Sequence, residues 1–340
     1  MRAVLIINPV SGDDVPNTEK VSAIQAGLSG APFVAEVCYT TKERGAGVIA
    51  REAVAAGVEV VIVGGGDGTI SEVARELVHK PVTLGILPIG TFNNIARSVG
   101  VLAELPLAAK VIADGHVREI DVGLAHQTHY FFEAAGAGLD AALFPIGEEI
   151  KGGRWTRILQ AARLTFQYRA QPFTITFDRP LSEVLPPERQ TRMTARALAG
   201  RTIWRNALLV VAANGPYYGG GFTVAAGARM RDGRLTISIY GRFSKWELIR
   251  HFRSISHGRY HYSPKIETYT AAEVHLASRN AISVHVDGHP LGTTPIKLRA
   301  LPGALRVFAP ERPLPTDGGD APVALPAPAE HPASDNKGNG

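Results

Sequence analysis

The stretch Val60-Val61-Ile62-Val63-Gly64-Gly65-Gly66-Asp67-Gly68-Thr69-Ile70-Ser71-Glu72-Val73 decides how the rest of this chain is read. Val58–Val63 is rich in valine and reads as a buried strand. It runs into consecutive glycines and then opens a helix, expected over Ser71–Val78. Glycines let a backbone turn sharply and bring its N–H groups against an anion with no Cβ in the way. The helix start adds unpaired N–H donors and a positive dipole end, so phosphate is the natural occupant. Asp67 would repel that phosphate unless a divalent cation bridged the two, which is indirect support for Mg²⁺. The competing reading is a tight glycine turn with Asp67 as the helix N-cap. A dinucleotide fingerprint begun at Gly66 needs glycine where Ser71 stands, and a Walker A loop needs a lysine that this loop lacks.

Outward from this stretch, residues 1–122 alternate strand-like and helix-like runs. The strands are expected at Ala3–Ile7, Phe33–Tyr39, Val58–Val63 and Thr83–Leu87, and the helices at Thr18–Leu28, Ala46–Ala56, Ser71–Val78 and Thr91–Val99. That order predicts an α/β domain with a parallel sheet. Two more junctions resemble the first. Asn8-Pro9-Val10-Ser11-Gly12 follows the first strand, and Pro88-Ile89-Gly90-Thr91-Phe92-Asn93-Asn94 follows the fourth. Thr91 or Asn93 can cap the helix after it. Three polar, glycine-bearing loops at one end of one sheet form a constellation where open α/β sheets bind ligands.

The texture changes after about Asp121. Short β-rich runs at His129–Glu133, Phe173–Phe177, Ala207–Ala213, Leu235–Tyr240, Lys265–Tyr269, Glu273–Leu276, Ile282–Val286 and Ala304–Phe308 predict a mainly antiparallel sandwich. Helices are expected near Trp155–Tyr168 and Lys245–Ser254, and Pro186–Gly200 reads as an exposed insertion. The domains are therefore expected at residues 1–122 and 123–291, with residues 292–312 returning to the first. A proline-rich segment, 313–340, is expected to be disordered.

The chain has 340 residues, of which 45% are hydrophobic and 20% charged, enough apolar material for a sizeable core. Cys38 is the single cysteine and no signal-type apolar segment follows Met1, so a cytoplasmic protein is expected. Net charge is +5, but Lys151–Arg205 alone carries eleven basic residues against three acidic ones, a local excess of eight. With Trp155, Phe166, Tyr168 and Trp204 interleaved, that segment suits an anionic membrane surface, although an ordinary solvated face has the same composition. No zinc-finger or RRM-type signature accompanies it, so nucleic acid is not an expected partner.

The motifs NPVSG (8–12), GGGDGT (64–69), PIGTFNN (88–94), YYGGG (217–221), RDGRL (231–235) and VDGHP (286–290) occur in an order that resembles the diacylglycerol kinase catalytic family. Soluble bacterial lipid kinases belong to it, with sphingosine and ceramide kinases as distant relatives. The resemblance implies an ATP-dependent lipid kinase that phosphorylates a hydroxyl of diacylglycerol or a related lipid alcohol, with Mg²⁺. It implies nucleotide contacts from Asn8, Pro9, Ser11, Gly12, Thr41, Gly64, Gly65, Gly66, Asp67, Gly68, Thr69 and Thr91. It also implies a structural Mg²⁺ held by Asp232 with nearby backbone carbonyls, apart from the cation that Asp67 would bridge to phosphate. Bottom-up, Asp232-Gly233 is equally a commonplace turn.

Asp287-Gly288-His289 occupies the family's Asp-Gly-Glu position, so Asp287 first and His289 second are the expected general bases. Histidine there, and Asn94 where many relatives carry aspartate, are departures from the pattern. They keep a non-catalytic nucleotide- or lipid-binding protein open as an alternative, and the GGGDGT loop, shared with NAD kinases, keeps a soluble-substrate kinase open. Phe131, Phe132, Leu139, Phe144 and Ile158 are apolar candidates for the lipid cleft, against core packing as the simpler explanation. The expected partner is a lipid substrate at an anionic membrane surface, reached by peripheral association, and a homodimer is compatible with the same resemblance.

Overall fold

The computed structural model describes residues 1–9, 17–143, 146, 156–191, 193–223, 225, 227–244, 246–247, 250 and 265–311. Most of the helix expected near Lys245–Ser254, the segment from Pro313, and Ser11, Gly12 and Phe144 lie outside these residues.

The first part of the chain builds β1 (Ala3–Ile7), α1 (Asn17–Gly27), β2 (Ala35–Tyr39), α2 (Ala46–Ala55), β3 (Val60–Gly65), α3 (Asp67–Leu77) and β4 (Thr83–Pro88). Then come α4 (Asn94–Ser98), α5 (Leu105–Asp114) and β5 (Val117–Ala125). Strands β2, β1, β3 and β4 are parallel neighbours in that order. Every residue of β1, β3 and β4 is buried, which is why these strands read as unbroken apolar runs with no alternation. Helices α1 and α5 pack together, as do α2 and α3. Helix α5 escaped sequence reading, although Pro106 near its start and Gly115 in the left-handed conformation at its end are ordinary boundary signals.

The second part contains β6 (His129–Phe131), β7 (Ala134–Gly138), α6 (Arg157–Gln167), β8 (Gln171–Phe177), the short helices α7 (Leu181–Val184), α8 (Pro187–Gln190) and α9 (Ala195–Ala199), and β9 (Thr202–Ala207). It continues through β10 (Leu209–Ala213), β11 (Tyr217–Tyr218), β12 (Phe222–Thr223), β13 (Leu235–Tyr240), β14 (Ile266–Ala271), β15 (Glu273–Ser278), β16 (Ser283–Val286) and β17 (His289–Thr293). The last strand, β18, spans Ile296–Phe308. A six-stranded antiparallel sheet, β14-β13-β10-β7-β16-β17, faces the strands β18, β15, β8 and β9. Phe173, Ile175 and Phe177 of β8 alternate inward to meet Val210, Ile237 and Val284 in the core between these layers.

Pro186–Gly200 is exposed as expected, with no buried residue in its two helices. It forms α8 and α9, and Met193 and Leu198 pack onto this core, so its few apolar side chains were anchors in a segment whose average composition is polar.

Strand β18 ties the two parts together. Its first half pairs antiparallel with β15, its end pairs parallel with β4, and β5 runs antiparallel along both halves. The pairing slips between Leu301 and Leu305, where Gly303 adopts φ +56°. The Asp121 carboxylate holds that bulge, accepting the Gly303 N–H (2.9 Å) and the Gly233 N–H (2.7 Å). One ten-stranded sheet therefore crosses both parts, and β5 passes through residues 122 and 123 without a break, where sequence texture suggested a boundary. Among the described residues no helix is long and apolar enough to cross a membrane.

Candidate functional site

Because β1 to β4 are parallel, the loops after Ile7, Tyr39, Gly65 and Pro88 emerge along one edge of the sheet. They are stitched together by backbone. The Asn8 N–H donates to Gly64 O (3.0 Å), the Thr40 N–H to Ile7 O (3.0 Å) and the Ile89 N–H to Gly65 O (3.1 Å). Asn8 Nδ2 donates to Thr69 Oγ1 at 3.1 Å, closing the first loop onto α3. Pro9 is half-buried beside it. Thr41 lies exposed at the same edge, its Oγ1 accepting the Arg44 N–H (3.1 Å), and Thr91 is exposed in the last loop.

The glycines here are required by close approach. A Cβ on Gly90 would lie 2.5 Å from the Gly66 Cα, and one on Gly65 would lie 2.6 Å from the Thr69 Cβ. Two loops thus touch backbone to backbone, and Gly68 stands clear of other atoms at the turn of α3.

Helix α3 starts at Asp67, not at Ser71, with extended Gly66 as its N-cap. Asp67 does not cap its own helix. Its Oδ1 accepts the Ile95 N–H at 3.1 Å, at the start of α4. Burial pushes the Asp67 carboxyl up from its ordinary range, against the N–H groups of Ile95, Asn94 and Asn93, which hold it down. Asn93 precedes α4 in the left-handed conformation (φ 51°), and its amide bonds both the N–H and the carbonyl of Gly90 (2.9 and 2.7 Å). That clasp shortens the expected helix at 91–99 to residues 94–98.

Asn94 is 1% exposed. Its Nδ2 donates to Glu133 Oε2 (3.0 Å) and to Gly219 O (2.8 Å), and the Gly219 N–H donates back to Glu133 Oε2 (3.1 Å). Two acceptors fix the amide orientation and leave Asn94 Oδ1 buried without a hydrogen-bond partner. Burial lifts the Glu133 carboxyl well above its ordinary value, and the charges of Asp287 and Asp67 lift it further. Glu133 was missed by sequence reasoning; the available signal was one acidic residue closing the apolar run Tyr130-Phe131-Phe132.

Asp287 does not present a free carboxylate. It accepts the backbone N–H groups of Phe132 (2.8 Å), Glu133 (2.9 Å) and Ala134 (3.1 Å), and sits at φ 44° in the turn between β16 and β17. His289 is exposed on that turn, with Nδ1 3.0 Å from Asp287 O. A carbonyl only accepts, so Nδ1 carries the proton in this contact and Nε2 keeps its lone pair in the neutral ring. Of the two expected bases, Asp287 is thus engaged by backbone N–H groups, while His289 Nε2 is on the exposed side of the turn.

Nearby, His285 Nε2 lies 2.6 Å from Tyr218 Oη and 3.1 Å from Asp140 Oδ2. Gly136 makes room for this buried group, since a Cβ there would collide with Asp140 and His285.

Asp232 stands apart from Asp67. It accepts the Arg234 N–H (3.0 Å) beside the Asp121-held bulge, and burial, with the Asp121 charge, pushes its carboxyl up. Among the described residues no three His, Cys, Asp or Glu side chains converge as a metal cluster. The orphaned Asn94 Oδ1 beside Asp67 does fit Mg²⁺, a hard cation that takes one or two carboxylates and completes its shell with water and phosphate oxygens. Phe131, Phe132 and Leu139 are fully buried core residues, so they line no open cleft.

Residues 2–125 match the diacylglycerol kinase catalytic domain, and residues 161–309 match the YegS C-terminal NAD kinase beta sandwich-like domain. The chain belongs to the diacylglycerol kinase catalytic-domain family. Diacylglycerol kinases of Staphylococcus aureus strains JH9 and Newman are each 25% identical over 313 residues, covering 91% of this chain and 92% of theirs. A diacylglycerol kinase structure from Bacillus anthracis superposes with TM-score 0.69 at 23% identity, over 92% of this chain and 98% of that one, and so shares the fold.

Gly90→Ala is expected to push the second loop off Gly66, weakening ATP binding at least tenfold and costing about 1–3 kcal/mol of stability. Calorimetric titration and urea unfolding measure the two effects. A carboxyl raised on folding binds more protons native than unfolded, so Glu133 makes stability fall as pH rises through its raised value. Glu133→Gln should therefore melt about 2–4 °C above the native protein at pH 7–8, with the difference vanishing at pH 4. Thermal melts of both proteins across that range, without divalent cations, check this.

Proposed function

We propose that this chain transfers the γ-phosphate of ATP to a hydroxyl of diacylglycerol or a related lipid alcohol. One juxtaposition carries the reading: Asp67 of the Gly64–Thr69 loop binds the start of α4, Asn94 of α4 bonds the buried Glu133 carboxylate, and Asp287 accepts the Glu133 backbone N–H. The glycine-loop edge and the Asp287–His289 turn are thus close neighbours, which supports reading the first as the phosphate site and the second as the bearer of the base.

The N–H groups after β3 and at the start of α3 cradle the phosphates, with Asn8, Thr41 and Thr91 along the same edge. Asp67 would hold Mg²⁺, which when bound would offset the negative charge of the triphosphate. His289 Nε2 takes the proton of the acceptor hydroxyl as its oxygen attacks phosphorus, and Asp287 positions that histidine by locking its turn onto Phe132, Glu133 and Ala134. Most of the rate then comes from positioning and charge neutralisation. In this reading Asp232, which accepts the Arg234 N–H, would hold a second, structural cation.

The lipid must be taken from a membrane. Helix α6 exposes Leu159 (79%) and Phe166 (44%) beside Arg157 and Arg163, and Trp204 on β9 is 72% exposed. Apolar tips set among arginines suit the interface of an anionic bilayer.

Radiolabelled ATP with a total lipid extract should give a labelled lipid. Asp67→Ala should lower that turnover by at least about 10³ and His289→Ala by roughly 10²–10⁴, both with the fold intact by circular dichroism. Unchanged turnover in Asp67→Ala sinks the assigned role. Label found on NAD favours the soluble-substrate reading, and ATP bound without transfer to any acceptor favours a non-catalytic protein. Vesicles rich in phosphatidylglycerol should sediment the protein at 50 mM salt and release it at roughly 500 mM, as screening over a Debye length requires; sedimentation indifferent to lipid charge and salt counts against the basic face.

A further inference from the structure

Asn94 sits between two carboxylates. Its backbone N–H lowers the pKa of Asp67, while its side-chain Nδ2 donates to Glu133, which arrives from the segment between β6 and β7. This small region gathers Asp67, Glu133 and Asp287, whose charges act on one another. Asp287 accepts three backbone N–H groups, shared between both of its oxygens. Glu133 differs. Both donors to it, Asn94 Nδ2 and the Gly219 N–H, land on Oε2, and Oε1 receives no hydrogen bond from the described residues. The amide that orients Glu133 also leaves its own Oδ1 buried and unpartnered.

One feature here is unfavourable for a protein on its own: a buried amide oxygen without a hydrogen bond carries its full desolvation penalty. It belongs to the residue that bonds Glu133 through Nδ2 and Asp67 through its backbone N–H, and a divalent cation between these groups would satisfy it.

We propose that Glu133 is the second carboxylate of the nucleotide's divalent-cation site in this chain, acting with Asp67 and the Asn94 amide oxygen. The inference rests on the ATP-dependent reading above. Position 94 here supplies an amide, and Glu133, across the cleft and bonded to that amide, supplies the negative charge. The Asn94 side chain then orients Glu133 through Nδ2 and offers its own oxygen to the cation.

Mn²⁺ is the probe, because it takes the same oxygen donors as Mg²⁺. Affinity for ATP is measured calorimetrically with the full chain, once in EDTA and once with saturating Mn²⁺, and the ratio of the two is the gain due to metal. In Glu133→Gln that gain should drop 10- to 100-fold, with affinity in EDTA undiminished. The double variant Asn94→Asp/Glu133→Gln moves the carboxylate one partner over and should recover most of the gain. The Mn²⁺ electron paramagnetic resonance line shape of the ternary complex should change in Glu133→Gln and return towards the native form in the double variant.

A Glu133→Gln protein that keeps the full gain overturns the proposal while leaving the kinase reading standing. A Glu133→Gln protein that loses affinity equally in EDTA and Mn²⁺ also overturns it, because Glu133 would then only shape the pocket. A native protein that binds ATP neither way overturns the kinase reading itself.

Discussion

Strand β18 is hydrogen-bonded to both halves of the molecule at once, and the geometry of the cleft follows from that. Its first residues pair with β15 in the sandwich, its last with β4 in the parallel sheet, and β5 accompanies it along both. Asp121 fixes the one irregularity in this seam by receiving two backbone N–H groups, from the β18 bulge and from the turn at Gly233. With a continuous sheet through both parts, the loops after β3 and β4 and the turn after β16 are held at set positions. A hinge of separate domains would leave each loop to find the other, whereas here the backbone ladder has already placed them.

On that frame the site is assembled mostly from main chain. Gly66 against Gly90, Asp67 on the start of α4, the Asn93 clasp on Gly90, and Asp287 on three consecutive N–H groups are all interactions with backbone. Glu133 is the exception: it is a buried charge whose partners include a side-chain amide and which is destabilised where it stands. Stability given up at one buried acid is a common mark of a functional position.

Much of this was legible in the sequence. The parallel sheet announced itself because both faces are covered, so β1, β3 and β4 are apolar throughout, and GGGDGT showed its loop because consecutive glycines have few other uses. Local signals failed where tertiary contacts decide. Asp67 looked like the cap of the helix it precedes, but its carboxylate is used 28 positions further on. Asp287 looked like a free base because the three N–H groups that occupy it lie about 154 residues earlier. Glu133 carries no motif, and only burial beside Asn94 marks it out. Boundaries at Thr91 and Ser71 shifted because an Asn–Gly clasp and a glycine N-cap, not the apolar period, set where α4 and α3 begin.

The position of β18 in the chain also bears on how the protein is made. The inner neighbour of β4 and β5 comes from residues 296–308, so β4 and β5 each keep an open edge until that strand has been made. Apolar strand edges waiting that long are vulnerable to pairing with other chains. Synthesis of this protein thus places its greatest demand on chaperones late, at the closing of a sheet begun with the first seven residues.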